Sequence, residues 1–386
     1  MDFELNGDQR AFQQTARDFA QQAMAPQAAH WDAEGVFPVD VLRQAGELGF
    51  MGLYAPEASG GLGLTRLDAT LVFEELAAAC PSTAAYITIH NMVAWMVGRF
   101  AQPEVAQRFG PPLARGEWLG SYCLTEPGAG SDAASLRTSA RRDGEHYVLS
   151  GGKAFISGAG ATDVLVVMAR TGGPGAAGIS AFVVDAKSEG IRYGRKEDKM
   201  GWNSQPTRQI AFDEVRVPAS HLLGEAGEGF KIAMKGLDGG RINIGTCSVG
   251  AAQAALNAAQ RYLHERRQFG RPLAEFQALQ FKLADMATEL VAARQMVRLA
   301  ASKLDAADPD ATTYCAMAKR LATDLGFQVC NEALQLHGGY GYIREYPLER
   351  LLRDARVHQI LEGTNEIMRV IIARRMLQDD ATDTIR

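Results

Sequence analysis

The chain has 386 residues but little of what a metal centre or a disulfide framework needs. Its five cysteines, Cys80, Cys123, Cys247, Cys315 and Cys330, are odd in number and form no Cys-x-x-Cys. Disulfide scaffolds and zinc sites are thereby excluded, and a reducing compartment fits. The seven histidines are scattered without His-x-x-x-His, so no metal is expected. Positive charge is not in surplus: 40 Lys and Arg stand against 45 Asp and Glu, a formal −5. That argues against a nucleic-acid binder or a polybasic membrane protein. Long apolar runs are missing too. The longest stretch free of Asp, Glu, Lys and Arg, Leu76 to Gly98, carries Pro81, Ser82, Thr83, His90 and Asn91. It reads as buried helix broken by a turn, not as a membrane span. The first residues, Met-Asp-Phe-Glu-Leu-Asn-Gly-Asp, lack a basic n-region and an apolar h-region, so no signal or transit peptide is expected. A bacterial cytoplasm fits, and a processed mitochondrial matrix protein would look the same.

What is present is a large apolar fraction, 47%, enough for a sizeable core in two or three domains. Residues 1–120 read as helices. Phe3, Leu5, Phe12, Ala16, Phe19 and Ala20 share one face, Leu42, Ala45, Leu48 and Phe50 mark a second helix, and Leu67 to Ala79 a third that Pro81 helps to end. Ser59-Gly-Gly-Leu-Gly63 is a glycine loop, weak as a phosphate motif because no buried strand precedes it. Across 121–225 the period changes to short β-prone runs: Tyr147–Leu149, Ala154–Ile156, Asp163–Met168, Ile179–Val184 and Arg208–Phe212. Glycine-rich turns between them leave no room for helical crossovers, which predicts a small antiparallel barrel or sandwich. Over 226–386, from about Gly229, the helical period returns and persists, and Ala251–Arg261, Leu279–Leu304, Tyr314–His337 and Thr364–Leu377 can each bury one face. The Pro-rich tract 103–112 is placed near a helix end. The fold class is thus α+β, mostly α: helical domain, antiparallel barrel-like β domain, C-terminal four-helix bundle.

Six segments could carry chemistry. Glu362 follows Ile360 and Leu361, precedes Gly363, and lies just before a helix that Thr364 can cap. Apolar neighbours raise a carboxylate's pKa and a helix N-terminus lowers it. Such a group suits a base that removes a carbon-bound proton, though a solvated loop Glu is the plain alternative. In Ser121-Tyr-Cys-Leu-Thr-Glu-Pro-Gly-Ala-Gly-Ser-Asp132, Gly128 and Gly130 let backbone N–H groups approach a ligand. A Rossmann site is excluded there, since the third glycine and the βαβ context are missing. Gly152-Lys-Ala-Phe-Ile-Ser-Gly158 sets an aromatic beside a hydroxyl, fit to stack on a planar ring or simply to be core strand. Arg266-Arg-Gln-Phe-Gly270 could grip a pyrophosphate or complement a helix C-terminus. Leu334-Gln-Leu-His-Gly-Gly-Tyr-Gly-Tyr342 exposes backbone at a helix stop. Leu237-Asp-Gly-Gly-Arg241 leaves open space beside a charged pair.

Taken in order, these segments resemble the acyl-CoA dehydrogenase family over nearly the whole chain. The markers are Tyr122 to Asp132, Phe155-Ile-Ser157, Arg266 with Gln268-Phe-Gly270, Gln335-Leu-His-Gly-Gly339 and Gln359-Ile-Leu-Glu-Gly-Thr364. Within the family, Gly201-Trp-Asn-Ser-Gln-Pro-Thr-Arg208, Gly239-Gly-Arg-Ile-Asn243 and His337 to Tyr342 look like the branch that oxidises isobutyryl-CoA in valine breakdown.

The resemblance implies FAD as cofactor, a homotetramer, and electron-transfer flavoprotein as electron acceptor. It places Tyr122, Cys123, Leu124, Thr125, Gly130, Ser131, Phe155, Ile156 and Ser157 along the flavin. Arg266, Gln268, Phe269, Phe276 and Gln277, with Gln335, Leu336, His337, Gly338 and Gly339, match cofactor positions, several of them reaching FAD from a neighbouring subunit. Thr364, Asn365 and Glu366 would also touch it. Ser131, Asp238, Gly239, Gly240, Arg241 and Arg374 match substrate contacts. Glu362 matches the catalytic base. One branch of the family carries its base at the position of Gly240 instead, and glycine there strengthens the assignment to Glu362. The implied reaction is removal of the α-proton of an acyl-CoA and of its β-hydrogen as hydride. Related readings are a 2-methylbutyryl-CoA or linear short-chain dehydrogenase, and a flavin oxidase on the same scaffold.

Overall fold

The computed structural model describes residues 4–378 and 381–385. Phe3 of the expected first helix lies outside them. Helices come first: α1 Gly7–Phe19, α2 Ala28–Glu34, α3 Val39–Glu47, α4 Arg66–Ala79, α5 Pro81–Phe100 and α6 Pro103–Ala114. A capping box opens α1, where Asn6 accepts from the Gln9 N–H and the Gln9 side chain answers the Asn6 N–H. Helix α3 stops at Glu47, which leaves Leu48 exposed while Phe50, beyond the helix, is buried. Pro81 both follows the end of α4 and starts α5, since its missing N–H is unneeded at a first helical position. The Pro-rich tract is itself helix α6, which runs through Pro111 and Pro112 rather than ending before them. In the Ser59–Gly63 loop, a Cβ on Gly61 would stand 2.1 Å from the Ala55 carbonyl. These glycines serve close packing.

An eight-stranded sheet follows, ordered β6-β7-β3-β2-β4-β5-β8 with β1 on the side of β4. Its strands are β1 Gly120–Cys123, β2 Ser139–Asp143, β3 His146–Ser157, β4 Val164–Arg170, β5 Ile179–Asp185, β6 Ile191–Tyr193, β7 Thr207–Pro218 and β8 Leu222–Leu223. Most pairings are antiparallel, as expected, but β1 runs parallel to β4, and β2 meets β4 in one parallel pair. Two expected runs, 147–149 and 154–156, are one bulged strand, β3. Strand β4 is buried on both faces. Val164, Val166 and Met168 join a core with Val93, Met96 and Val97 of α5, while Leu165, Val167 and Ala169 join one with Phe182, Ile210 and Phe212. That explains its unbroken apolar run.

The C-terminal part holds α7 Gly229–Glu265, α8 Gln277–Asp305, α9 Ala311–His337, α10 Leu348–Arg356 and α11 Asn365–Met376. Helix α7 begins at Gly229, where the helical period is expected to return, and runs on through the Ala251–Arg261 stretch. Within it stand Gly236, Gly239, Gly240, Gly245 and Gly250, each worth about 1 kcal/mol against a helix. Tertiary packing overrides that preference: a Cβ on Gly250 would press to 2.4 Å from the Glu74 carbonyl of α4. Among the described residues, no helix is long and apolar enough to cross a membrane.

Candidate active site

Glu362 sits on the turn between α10 and α11, in the left-handed region at φ 55°, with Gly363 at φ 90°. Thr364 caps α11 by accepting from the Ile367 N–H at 3.3 Å. The turn aims the carboxylate at α7, where a Cβ on Gly240 would lie 2.4 Å from Oε2. Oε2 is buried without a hydrogen-bond partner. Burial raises the Glu362 pKa to about 7, against the opposing pull of the Arg241 and Lys319 charges. A carboxylate at that value is half available as base near neutrality.

Lys319, which the sequence reading passed over, holds this turn. It is wholly buried in α9, and its Nζ donates to the Gly363 carbonyl and to Asn365 Oδ1, both at 2.8 Å. Burial draws its pKa down to about 7, while Glu362 and Asp324 draw it back up. Asn365 passes the contact on, donating to Thr323 Oγ1 and Asp324 Oδ1. Its side chain is therefore engaged inside the protein. The available signal was a lysine among the apolar Cys315, Ala318 and Ala322 of α9.

The other expected substrate residues divide. Arg241 donates to Asp238 Oδ1 at 2.7 Å, and Thr312 donates to Asp238 Oδ2 at 2.7 Å. Arg241 Nε and the Tyr122 hydroxyl are buried without partners. Burial, and then the Glu362 charge, push the Tyr122 phenol well above its ordinary pKa. Ser131 and Arg374 are exposed.

The loop 122–132 is stapled to β3. Glu126 accepts from Lys153 Nζ at 2.8 Å, from the Arg137 N–H at 2.7 Å and from the Thr138 N–H at 2.9 Å. Lys153 also donates to the Leu124 carbonyl, and Ala154 N–H to Thr125. Beyond this anchor the chain opens: a Cβ on Gly128 or Gly130 would meet nothing within 4 Å. Beside it, Phe155 occupies the bulge of β3 at φ 57° and is 69% exposed. Bulges recur next to ligand sites because they re-aim a side chain.

A second region gathers two of the distant segments. Arg266 and Gln268 share a cleft of about 530 Å³ with Gln335, Leu336, His337, Gly338 and Gly339, together with Tyr262, Leu273, Tyr340 and Ile343. His337 stacks on Tyr262, with ring centroids 4.3 Å apart. Phe269, at the tip of the Arg267–Pro272 hairpin, is 91% exposed and contacts Phe276, which directly precedes Gln277, the first residue of α8. Glu362 and the 122–131 segment do not line this cleft. Thr364 is taken up in its cap, and Glu366 is exposed.

A helical layer, a sheet and a helical bundle, with a desolvated carboxylate on the bundle, form the architecture of a flavin-dependent dehydrogenase. Family models for the acyl-CoA dehydrogenase N-terminal, middle and C-terminal domains match residues 6–117, 121–215 and 227–377. The chain belongs to the acyl-CoA dehydrogenase family. It is 54% identical to mitochondrial isobutyryl-CoA dehydrogenase of Bos taurus, over 97% of this chain and 90% of that protein. It is also 54% identical to the Dictyostelium discoideum protein of the same name, over 97% and 91%. The solved butyryl-CoA dehydrogenase of Megasphaera elsdenii is 40% identical with a TM-score of 0.95, covering 98% of this chain and 100% of that one.

The family uses FAD, and the residues present fit it. The Arg266 guanidinium, the Gln268 and Gln335 amides and the unobstructed backbone at Gly338 and Gly339 suit a large polar, anionic group in the cleft. Exposed Phe155, next to the Ala154 that bonds Thr125, suits a planar ring.

Proposed function

We propose that this dehydrogenase acts on short branched acyl-CoA thioesters, converting isobutyryl-CoA to methacrylyl-CoA, with Glu362 as the base. The observation that carries the reading is the buried, unpartnered Oε2 of Glu362 on the bare backbone of Gly240. Bound FAD supplies an acceptor for the β-hydrogen as hydride.

The α-proton of a thioester is weakly acidic, so this chain must do three things. Glu362 takes the proton on a carboxylate that burial has made basic. Its own backbone N–H donates to the thioester oxygen, where negative charge develops; a donor so placed is worth on the order of 3 kcal/mol. Lys319 keeps the turn in its left-handed conformation through the Gly363 carbonyl. Loss of the proton to Glu362 and of the β-hydrogen with its electron pair leaves a double bond between the α- and β-carbons. Substrate binding expels water and raises the basicity of Glu362 further.

The 54% identity to two isobutyryl-CoA dehydrogenases supports the branched substrate. The missing side chains of Gly239 and Gly240 let Arg66 and Glu362 lie directly on α7. One methylene discriminates by only about 1–3 kcal/mol, so 2-methylbutyryl-CoA and butyryl-CoA are expected to overlap. We assign electron-transfer flavoprotein as acceptor and a homotetramer as the assembly. An open cleft lined by Arg266 and Gln268, next in sequence to exposed Phe269, supports a neighbouring copy completing the cofactor site. Five buried free cysteines support a reducing compartment.

The test is anaerobic mixing with isobutyryl-CoA, n-butyryl-CoA and 2-methylbutyryl-CoA while following flavin bleaching. Fastest bleaching with isobutyryl-CoA is expected. Faster bleaching with another ester moves the substrate, and rapid reoxidation in air would make the protein an oxidase.

A further inference from the structure

Gly236, Gly239 and Gly240 lie on α7 at i, i+3 and i+4, and so share one face. Each is roofed by a different side chain. A Cβ at Gly236 would meet Met96 Cε at 2.0 Å, one at Gly239 would meet Arg66 Nη1 at 2.4 Å, and one at Gly240 would meet Glu362 Oε2 at 2.4 Å. The base and a guanidinium thus stand over consecutive residues of one helix. Their nearest atoms are at most about 12 Å apart, given the fixed spacing of adjacent Cα atoms.

Arg66 is an unusual group to find there. It is 8% exposed, and among the described residues no carboxylate pairs with it. Its Nη1 is buried without an acceptor. Its place is set by other means. The guanidinium lies on the Tyr54 ring, 3.5 Å from the centroid, with Trp95 at 5.1 Å. Tyr54 is fixed in turn by Asn243 of α7, which donates to its hydroxyl at 3.0 Å. Asp305 of α8 accepts the Arg66 and Leu67 N–H groups, pinning the first turn of α4 to the bundle. A charged group held this firmly, with a donor unmet, fills the space over Gly239, the residue before the one that Glu362 covers.

We infer that Arg66 is the end wall of the acyl site and restricts this enzyme to short acyl groups. The inference rests on the reading of Glu362 as base. An acyl chain whose α-carbon is at Glu362 and which is directed from there toward the start of α4 runs into the guanidinium. Added methylenes would have to displace it or strip it of water, and burying an unpaired charge against hydrocarbon is unfavourable. A short branched chain stops before that contact.

The experiment compares kcat/KM for isobutyryl-CoA, hexanoyl-CoA and octanoyl-CoA in the FAD-loaded wild type, Arg66→Ala, Arg66→Met and Arg66→Lys. In the Ala and Met variants the hexanoyl-to-isobutyryl ratio should rise by at least about tenfold, while Lys, which keeps the charge, stays nearer the wild type. Met preserves contact with Tyr54 and carries the test should Ala fail to fold. Ratios unchanged from wild type in folded, yellow variants would overturn the inference and leave Arg66 a packing residue. A wild type reduced by none of the esters would instead overturn the assignment of function, so the two failures are distinguishable.

Discussion

The carboxylate of Glu362 rests on the backbone of Gly240, with room there for no more than a hydrogen. The two residues are 122 apart in sequence and meet because the α10–α11 turn folds over α7. Gly240→Ala should therefore separate stability from activity. Ala favours a helix by about 1 kcal/mol over Gly, so the melting temperature should hold or rise. The displaced carboxylate should slow flavin reduction on the order of 10²-fold, as an ångström of misplacement does. Single-turnover reduction beside a thermal melt reads both, and undiminished reduction would mean that Glu362 has another position in action.

Glu362→Gln keeps the shape and removes the base. FAD and CoA-ester binding should persist while flavin reduction falls about 10²- to 10⁴-fold. Substantial residual reduction would place the base elsewhere.

The pH profile follows from the same carboxylate. Only deprotonated Glu362 accepts a proton, so the reduction rate should climb with pH through about 7. The Lys319 charge favours the carboxylate form, so Lys319→Met should move the inflection upward and slow reduction at neutral pH. Lys319 itself titrates near 7, and its loss of charge across that range should broaden the wild-type curve. An unmoved inflection in Lys319→Met, with FAD retained, would show that the lysine acts on the turn's geometry alone.

Lys153 and Glu126 form a buried pair, 0% and 8% exposed at their side chains. Lys153→Met leaves the Glu126 charge buried and should cost about 3–5 kcal/mol, seen as a lower melting temperature and poorer FAD retention. The double variant Lys153→Met with Glu126→Gln should recover part of that loss. Equal destabilisation of single and double variants would mean the stranded charge is not the cause.

Periodicity and turn residues made the order of helices, sheet and helices legible, because apolar spacing reports directly which face each element buries. Family motifs marked Glu362 and the 266–270 and 335–339 segments. What pattern could not give was why α7 carries glycines at 236, 239, 240 and 250, where Met96, Arg66, Glu362 and the α4 backbone need the room. Nor could it give the parallel pairing of β1, a matter of which strands meet. The basicity of Glu362 is likewise a tertiary property, since one sequence of neighbours serves a solvated loop or a buried one equally well. Lys319 and Arg66 escaped for the same reason. A charged residue becomes a clamp or a wall only when folding removes water from it and sets another segment's backbone or ring against it.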